Sequence, residues 1–408
     1  MSLFFPPHLR TQAVRAVDCI PIDAISEDHQ IFCAYHALST EYVDMHRRGV
    51  VREDVFVGMG LSREAAQFCC FMEMIERCSA MASLTMADRS CVRPAGQPSL
   101  HWSQFAPYGD DEVDATDRRR RGWPEYVVNG VGLISGQTQL VPAESVFPNW
   151  RFFFATPAQR PESDGVGIAA GFREQRSATI DRALREVLER EAMMLSWRVQ
   201  RWPVRRLTGE LLPVQVRHWL NEQSLDVHLY DVGDPSLCSV VLALIVSHSN
   251  DQATVGGSCQ ENLSGAATKA TLEAIMLRAS AAALSRQMGA VAPEDIVDSF
   301  GHVVWAWQNG ESVLAWYREQ SQRRSLPRAP HRGHTLLTSC TQVFGYEPVL
   351  VDLTDPRLRS SEYEVLRVLI PGAFKKEYRH SQRFAGGARL RSLGAMPQQL
   401  HHLPHPIG

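Results

Sequence analysis

A glycine-rich approach followed by a charged helix constrains this chain more than any other stretch. In GVGIAAGFREQRSATIDRALREVLEREAMM, residues 165–194, Glu186, Glu189 and Arg190 fall in an E-x-x-E-R order. Positions three and four apart share one face of an α-helix, so two carboxylates and a guanidinium project together. Upstream, GMGLSREAAQFCCFMEMIERCSAM repeats the order with Glu73, Glu76 and Arg77, again after a glycine-containing loop. A weaker third copy, GGSCQENLSGAATKATLEAIMLRAS, keeps Glu273 and Arg278 but has Met276 where the second acid would stand. One such motif is ordinary solvated helix surface, each pair adding about 0.2–0.5 kcal/mol. Recurrence after similar glycine-rich leads points instead to a shared site, with carboxylates for a divalent cation and arginines for phosphate.

The order strand, glycine loop, acidic helix therefore occurs three times and predicts an α/β (α+β) fold, an internal pseudo-repeat around a mixed sheet. The first unit is VREDVFVGMGL leading into a helix over 62–82, with Phe68, Phe71, Met72 and Ile75 turned inward. WRFFFAT is a strand candidate ahead of the second unit, and LDVHLYDV and LCSVVLALIVSH are strands ahead of the third. The third helix is expected to open at Gly256-Gly257 and run to about Gln287. Near the start, ISEDHQIFCAYHALSTEYVDMHRR is expected to supply one or two helices, and its scattered His29, His36 and His46 lack metal-ligand spacing. DDEVDATDRRRR sets Arg118 to Arg121 directly after acids and predicts a solvated loop. EYVVNGVGLI and QTQLVPAESVF have strand character, and WPVRRLTGELLPVQVRHWLNEQ is expected to be a connecting helix. Residues 293–333 resemble an insertion: an aromatic helix whose Trp305, Trp307 and Trp316 pack against the body, then a basic loop. A helix near 335–344 and the strands PVLVDLT and EVLRVLIPG follow. The Pro-containing, His-bearing tail 396–408 is by default disordered.

With 408 residues the chain can bury a large core. A net charge of −3 and 44% hydrophobic content show none of the basic excess that nucleic-acid binders carry. No apolar run approaches the roughly 20 residues of a membrane span. Neither nucleic acid nor membrane is favoured as a partner, and a cytoplasmic location is the default. Nine cysteines without a C-x-x-C pair predict reduced, mostly packed thiols. No G-x-x-x-x-G-K-[ST] phosphate loop competes for a nucleotide.

Five blocks, GLSREAAQFCCFMEMIER, AAGFREQRSATIDRALREVLEREA, VHLYDVGDPSLCSVVLALIV, GYEPVLVDLTDP with EVLRVLIPG, and LPHPIG, together resemble the YcaO family and stand in its order. That family comprises ATP-using enzymes and includes the cyclodehydratase component of azoline-forming peptide synthetases. The resemblance implies a single YcaO-like domain over 1–408 with ATP and Mg2+ as cofactors. It implies Glu76, Glu189 and Glu273 as metal ligands, and Glu73, Arg77, Glu186 and Arg190 as ATP and phosphate contacts. Azoline-forming members end in a Pro-x-Pro-x-Pro tail whose carboxylate approaches the site, which carries a catalytic role onto Pro404, Pro406 and, in the last place, Gly408.

The implied reaction converts Cys, Ser or Thr of a ribosomal precursor peptide to thiazoline or oxazoline by phosphorylation of the backbone amide oxygen. The implied partners are that peptide, a ubiquitin-activating-enzyme-like protein that captures its leader, and an FMN-dependent azoline dehydrogenase, in a hetero-oligomeric complex. A separate leader-binding protein is expected because no long amino-terminal module is evident. This sequence departs from the family pattern at several positions. Cys69 replaces a usual serine, Met59 a common lysine, Gly165-Val166 a Ser-Asn pair, and an apolar residue near Met276 a glutamine. Beside the cyclodehydratase stand a thioamide- or amidine-forming enzyme and a non-catalytic scaffold or peptide-binding member. Both complete E-x-x-E-R faces favour an enzyme, because converging charges whose repulsion magnesium relieves serve no scaffold.

Overall fold

In the computed structural model, each acidic helix follows a strand that closes one end of a sheet. The structure describes residues 17–22, 30–37, 55–81, 83–106, 108–121, 124–148, 150, 165–248, 251–322 and 335–408. The first sheet holds β1 (Val17–Ile22), β2 (Ile31–Ala37) and β3 (Val55–Gly60) in that order, and β3 runs into α1 (Arg63–Met81). After α2 (Ser83–Arg89) come β4 (Ser90–Val92), α3 (Asp110–Arg120), β5 (Tyr126–Gly132), β6 (Thr138–Pro142) and α4 (Ala143–Val146). β7 (Ile168–Phe172) then leads into α5 (Arg176–Arg198). The chain continues through β8 (Arg205–Leu207), α6 (Val214–Glu222), β9 (Leu225–Asp231), β10 (Val241–Ser247) and β11 (Ala253–Ser258), and β11 leads into α7 (Leu263–Met288). It closes with α8 (Ser299–Gln308), α9 (Gly310–Gln322), α10 (Leu336–Phe344), β12 (Val349–Asp352), β13 (Tyr363–Leu369) and α11 (Ala388–Ser392).

The expected α+β pseudo-repeat is present, and the single mixed sheet resolves into three. The second sheet runs β11-β10-β9-β8; the third runs β4-β5-β12-β13-β7 with β6 on β5. The ladders among the described strands are antiparallel. So β3, β7 and β11, each an end strand of a different sheet, deliver the three helices toward one another. Alternation along β10 explains its position: Val241, Ala243 and Ile245 enter the core beneath α6 and α7, while Leu242, Leu244 and Val246 enter the core around α5. Glycine sets the spacing of helix on strand. A Cβ on Gly58 would overlap the Ala66 carbonyl and Cys70 amide of α1, and one on Gly256 the Ala270 carbonyl of α7.

Several expected elements differ. Residues 31–37, expected as helix, form β2, because Ile31, Phe32, Cys33 and Tyr35 have strand character and find ladder partners on both sides in β1 and β3. Most of the rest of that stretch and all of WRFFFAT after Trp150 lie outside the described residues, as does the basic loop after α9. The solvated loop around Arg118 is instead the end of α3. Its acids at the start and arginines at the end suit the helix dipole. The connecting helix after Trp202 is broken into β8 and α6, with Pro213 at the N-cap of α6. Gly256 and Gly257 belong to β11, and α7 opens later, where Asn262 Oδ1 accepts the Gly265 N–H at 2.7 Å. The aromatic segment divides into α8 and α9, and Trp305 and Trp316 both pack on Trp197 of α5. Cys70, Cys238, Cys259 and Cys340 are buried.

The tail is ordered, against the sequence default. Pro404, His405, Pro406 and Ile407 are buried, and α5 supplies what a buried backbone needs. Arg198 Nη1 donates to the carbonyls of His401 at 2.7 Å and Leu403 at 2.9 Å, and Trp197 Nε1 donates to Leu403 O at 3.2 Å. Arg198 is itself buried and ion-paired with buried Glu377.

Candidate functional site

The seven acidic-motif residues come from three helices and meet through contacts that cross the pseudo-repeat. On α5, Glu186 Oε2 accepts the Gly167 N–H at 3.0 Å, from the turn entering β7. On α7, Glu273 Oε2 accepts the Gly257 N–H at 2.9 Å, from β11. Each carboxylate is thus held by the backbone of its own unit's strand. Gly167 has φ +79° and presses on the Val368 carbonyl, so a side chain there is excluded twice over. Glu189 links two units: its Oε2 accepts the Cys259 N–H, just beyond β11, at 3.0 Å. Arg190 completes the junction, its Nη2 3.2 Å from Glu273 Oε1 and its Nε 3.6 Å from Glu189 Oε1. On α1, Glu73 and Arg77 pair at 3.5 Å, and Glu76 stands in the field of Glu186.

The electrostatics report crowding of like charge. Burial pushes Glu76 well above the usual carboxylate range, and repulsion from Glu186 and Glu73 adds to it against the pull of Arg77 and Lys269. Burial raises Glu189 to about 7, with Glu273 and Glu186 adding and Arg190 and Lys269 opposing. Arg190 and Lys269 are both held above their ordinary values, since the surrounding carboxylates outweigh desolvation.

Lys269 is a site residue that lies outside the E-x-x-E-R motifs. It stands four residues before Glu273 and interacts with Glu76, Glu186, Glu189 and Glu273. The i, i+4 spacing could have found it. Arg278, by contrast, leaves the cluster: its guanidinium lies 4.9 Å over the Trp307 ring. Cys69 borders the cluster beside Lys269, Glu73 and Arg182, an exposed thiol that desolvation raises. At Gly165 a Cβ would sit 2.7 Å from Arg77 Nη1, so the glycine lets that guanidinium lie against the backbone. Met59 packs at the margin of the core under α7.

Of the tail residues, Pro404 and Pro406 are buried on either side of His405, and Gly408 lies against Leu277 and Val303. Leu277 shares the Glu273 face of α7 one turn on, about 6 Å along the axis. Lys376 Nζ donates to Gly408 O at 2.8 Å. Arg190 also reaches away from the acids, lining a cavity with Val166, Val187, Phe374 and Lys375.

The donors suit magnesium chemically: hard carboxylate oxygens whose mutual repulsion a divalent cation would relieve, beside three cations able to meet phosphate. Magnesium needs only one or two carboxylates, with phosphate and water completing its shell. A closed protein cage is therefore not required, and among the described residues no three His, Cys, Asp or Glu side chains form one.

Residues 57–374 match the family profile described as YcaO cyclodehydratase, ATP- and Mg2+-binding. The chain belongs to the YcaO family. ATP and Mg2+ are accordingly its family's cofactors. No curated protein sequence matches the chain. Solved structures share the fold at low identity. A heterocyclase in complex with substrate and cofactor superposes with a TM-score of 0.69 at 14% identity, over 96% of this chain and 54% of that one. This YcaO chain thus spans about half the length of that heterocyclase. YcaO from Methanopyrus kandleri, bound with AMPPCP and Mg2+, gives 0.57 at 19% identity over 90% and 87%. The E. coli microcin synthetase McbBCD complex gives 0.65 at 15% identity over 96% of both chains. No helix among the described residues is long and apolar enough to cross a membrane.

Proposed function

We propose that this YcaO chain is the ATP-dependent cyclodehydratase subunit of a peptide-modifying complex, converting Cys, Ser or Thr of a ribosomal precursor to thiazoline or oxazoline. The observation that carries the reading is the meeting of Glu76, Glu186, Glu189 and Glu273 with Arg77, Arg190 and Lys269, where burial first and neighbouring carboxylates second raise Glu76 and Glu189. Glu76, Glu189 and Glu273 would offer the metal its carboxylates, one or two at a time, with phosphate and water completing its shell; Arg77, Arg190 and Lys269 would meet phosphate oxygens, with Glu73 and Glu186 orienting them. ATP supplies the phosphoryl group that makes the amide oxygen a leaving group, and Mg2+ neutralises its charge. The protein's part is placement. Carboxylates already fixed by the N–H groups of Gly167, Gly257 and Cys259 need little reorganisation when charge arrives. Pro404, Pro406 and Gly408 would shape the side of the site toward the peptide. The chain is taken as one domain over 1–408 with an insertion at 293–333, working in the cytoplasm with a leader-binding protein and an FMN-dependent dehydrogenase.

The McbBCD complex has also been solved with pro-MccB17 bound, which supports a peptide as the class of substrate. A scaffold reading gains from Cys69, Met59 and Gly165-Val166, but a scaffold gives no reason to concentrate repelling carboxylates. The test is mass spectrometry on a Cys/Ser/Thr-rich peptide encoded beside this gene, incubated with the chain, its neighbouring gene products, ATP and magnesium. ATP-dependent loss of one water per modified residue is expected, and Glu76→Gln and Glu189→Gln should each abolish it with the fold intact. Unchanged peptide mass together with no ATP binding would sink the enzyme reading. Turnover retained in both variants would remove the metal assignment.

A further inference from the structure

Two imidazole rings join the α8–α9 pair to the tail. His302 of α8 and His405 lie with ring centroids 3.6 Å apart and planes within 7°, both fully buried. Their hydrogen bonds fix each tautomer. His302 Nδ1 lies 3.1 Å from the His405 carbonyl; a carbonyl only accepts, so Nδ1 carries the proton. His302 Nε2 is buried without a partner among the described residues. His405 Nε2 donates to the Glu377 carbonyl at 2.7 Å, while its Nδ1 accepts the Ile407 N–H at 3.3 Å. Both rings are therefore neutral in the docked state. A proton added at His405 Nδ1 would face the Ile407 N–H, and one at His302 Nε2 would be a buried donor without an acceptor.

The surroundings oppose a second positive charge. Arg198 at the end of α5 and Lys376 after β13 face both rings, His380 faces His302, and Arg198 is matched by Glu377. Burial holds both rings well below the usual imidazole range; Arg198 and Lys376 add to this for His302, and His302 and Arg198 for His405. A third ring, His401, stacks on Trp316 at 3.9 Å and is pulled down to about 3 by burial, Arg198 and His402.

We propose that His302 and His405 form a proton-sensitive latch on residues 400–408, closed when both rings are neutral and opened by proton uptake. His302 is a positioning residue, since it touches the tail and not the acidic cluster. The functional consequence rests on the reading that the tail completes the site, but the latch is read out without any reaction, so the two can fail separately. The sign follows from linkage. A released histidine titrates near 6.5 and a docked one lower, so docking is undisturbed above that value and weakens below it. Each ring contributes about tenfold per pH unit, so the pair contributes about 100-fold.

The test is hydrogen–deuterium exchange on the full chain from about pH 7.5 to about pH 5, corrected for intrinsic exchange rates, following 400–408 with β10 as the internal control. Tail protection should fall with at least two protons taken up per release event while β10 stays protected. The His302→Phe/His405→Gln double variant keeps a stacking ring, and the glutamine amide it introduces in the tail can still donate to Glu377 O and accept from Ile407 N–H. It should release the tail with two fewer protons. Tail protection that ignores pH, or an unchanged proton count in the double variant, would overturn the latch. Should that variant fail to fold, imidazole nitrogen NMR of the wild type decides. Two rings staying neutral until the tail is released support the latch; both rings titrating near 6.5 with the tail still protected overturn it.

Discussion

Glu189 shows how single residues set the behaviour of this site. Its folded-state value of about 7 stands above the 4.5 of an ordinary glutamate, so the buried charge costs stability as pH rises from 4.5 toward 7, and the cost persists above. A cation must displace that proton. Magnesium affinity is therefore expected to fall at least about tenfold per pH unit below 7, since raised Glu76 can add a second displaced proton, and calorimetry in buffers of different ionisation enthalpy should detect proton release. Affinity that is flat between about pH 6 and 8 would contradict the assignment of Glu189 as a ligand. Glu189→Gln keeps an acceptor for the Cys259 N–H but removes the charge. At about pH 8 it should stabilise the metal-free protein by about 1–3 kcal/mol and abolish the stabilisation by magnesium. Most of these residues were legible in the sequence, because the acids repeat at helical spacing. Lys269 was not, because the matching places four residues before Glu73 and Glu186 hold Cys69 and Arg182, and the backbone N–H groups of Gly167, Gly257 and Cys259 have no side-chain signature.

At the scale of elements, the strand–helix junctions decide whether those residues meet. Gly256 lets the backbone of α7 lie directly on β11, which brings Glu273 to the Gly257 N–H. Gly256→Ala would force a methyl into the Ala270 carbonyl and also crowd the Ala274 amide and Glu273 Cβ. Backbone atoms cannot rotate away as a side chain can, so α7 must shift. The expected cost is about 1–3 kcal/mol in denaturant unfolding, with a larger proportional loss of ATP turnover because the Glu273 contact opens. Wild-type turnover in a destabilised variant would separate the junction from the site. The α1 helix was legible to within a residue or so because its apolar face repeats cleanly. β2 was not, because Ile31–Ala37 becomes a strand only through its ladders to β1 and β3. In α3, acids followed by arginines fit a solvated run and a helix dipole equally well, and the sequence alone does not separate the two.

Over the whole molecule, three sheets each present one acidic helix, and the tail threads among α5, α7 and α8. The sequence showed the three units but not their distribution among separate sheets. That depends on pairings such as Val349 with Gly132, more than 200 residues apart, and no local pattern encodes them. The tail's order was hidden for the same reason: its polar backbone is satisfied by Arg198 and Trp197, far away in sequence. This arrangement separates two properties that a deletion can test. Glu76, Glu189 and Glu273 are held by α1, α5 and α7 without help from residues 400–408. Removing those residues should therefore leave the magnesium-dependent thermal shift in place. The same deletion strips Trp197 Nε1 of its acceptor and Arg198 of two carbonyls, and should cost about 2–4 kcal/mol as these donors lose buried partners. It also removes Gly408 from beside Leu277 of α7, together with the buried Pro404 and Pro406 that precede it. Ring formation is then expected to fall by about 100-fold or more, the penalty that misplacement by about 1 Å can exact. A truncated chain that binds magnesium and forms rings at the wild-type rate would leave those three residues with no part in the reaction. One that loses both properties would show instead that the tail supports the acidic helices themselves.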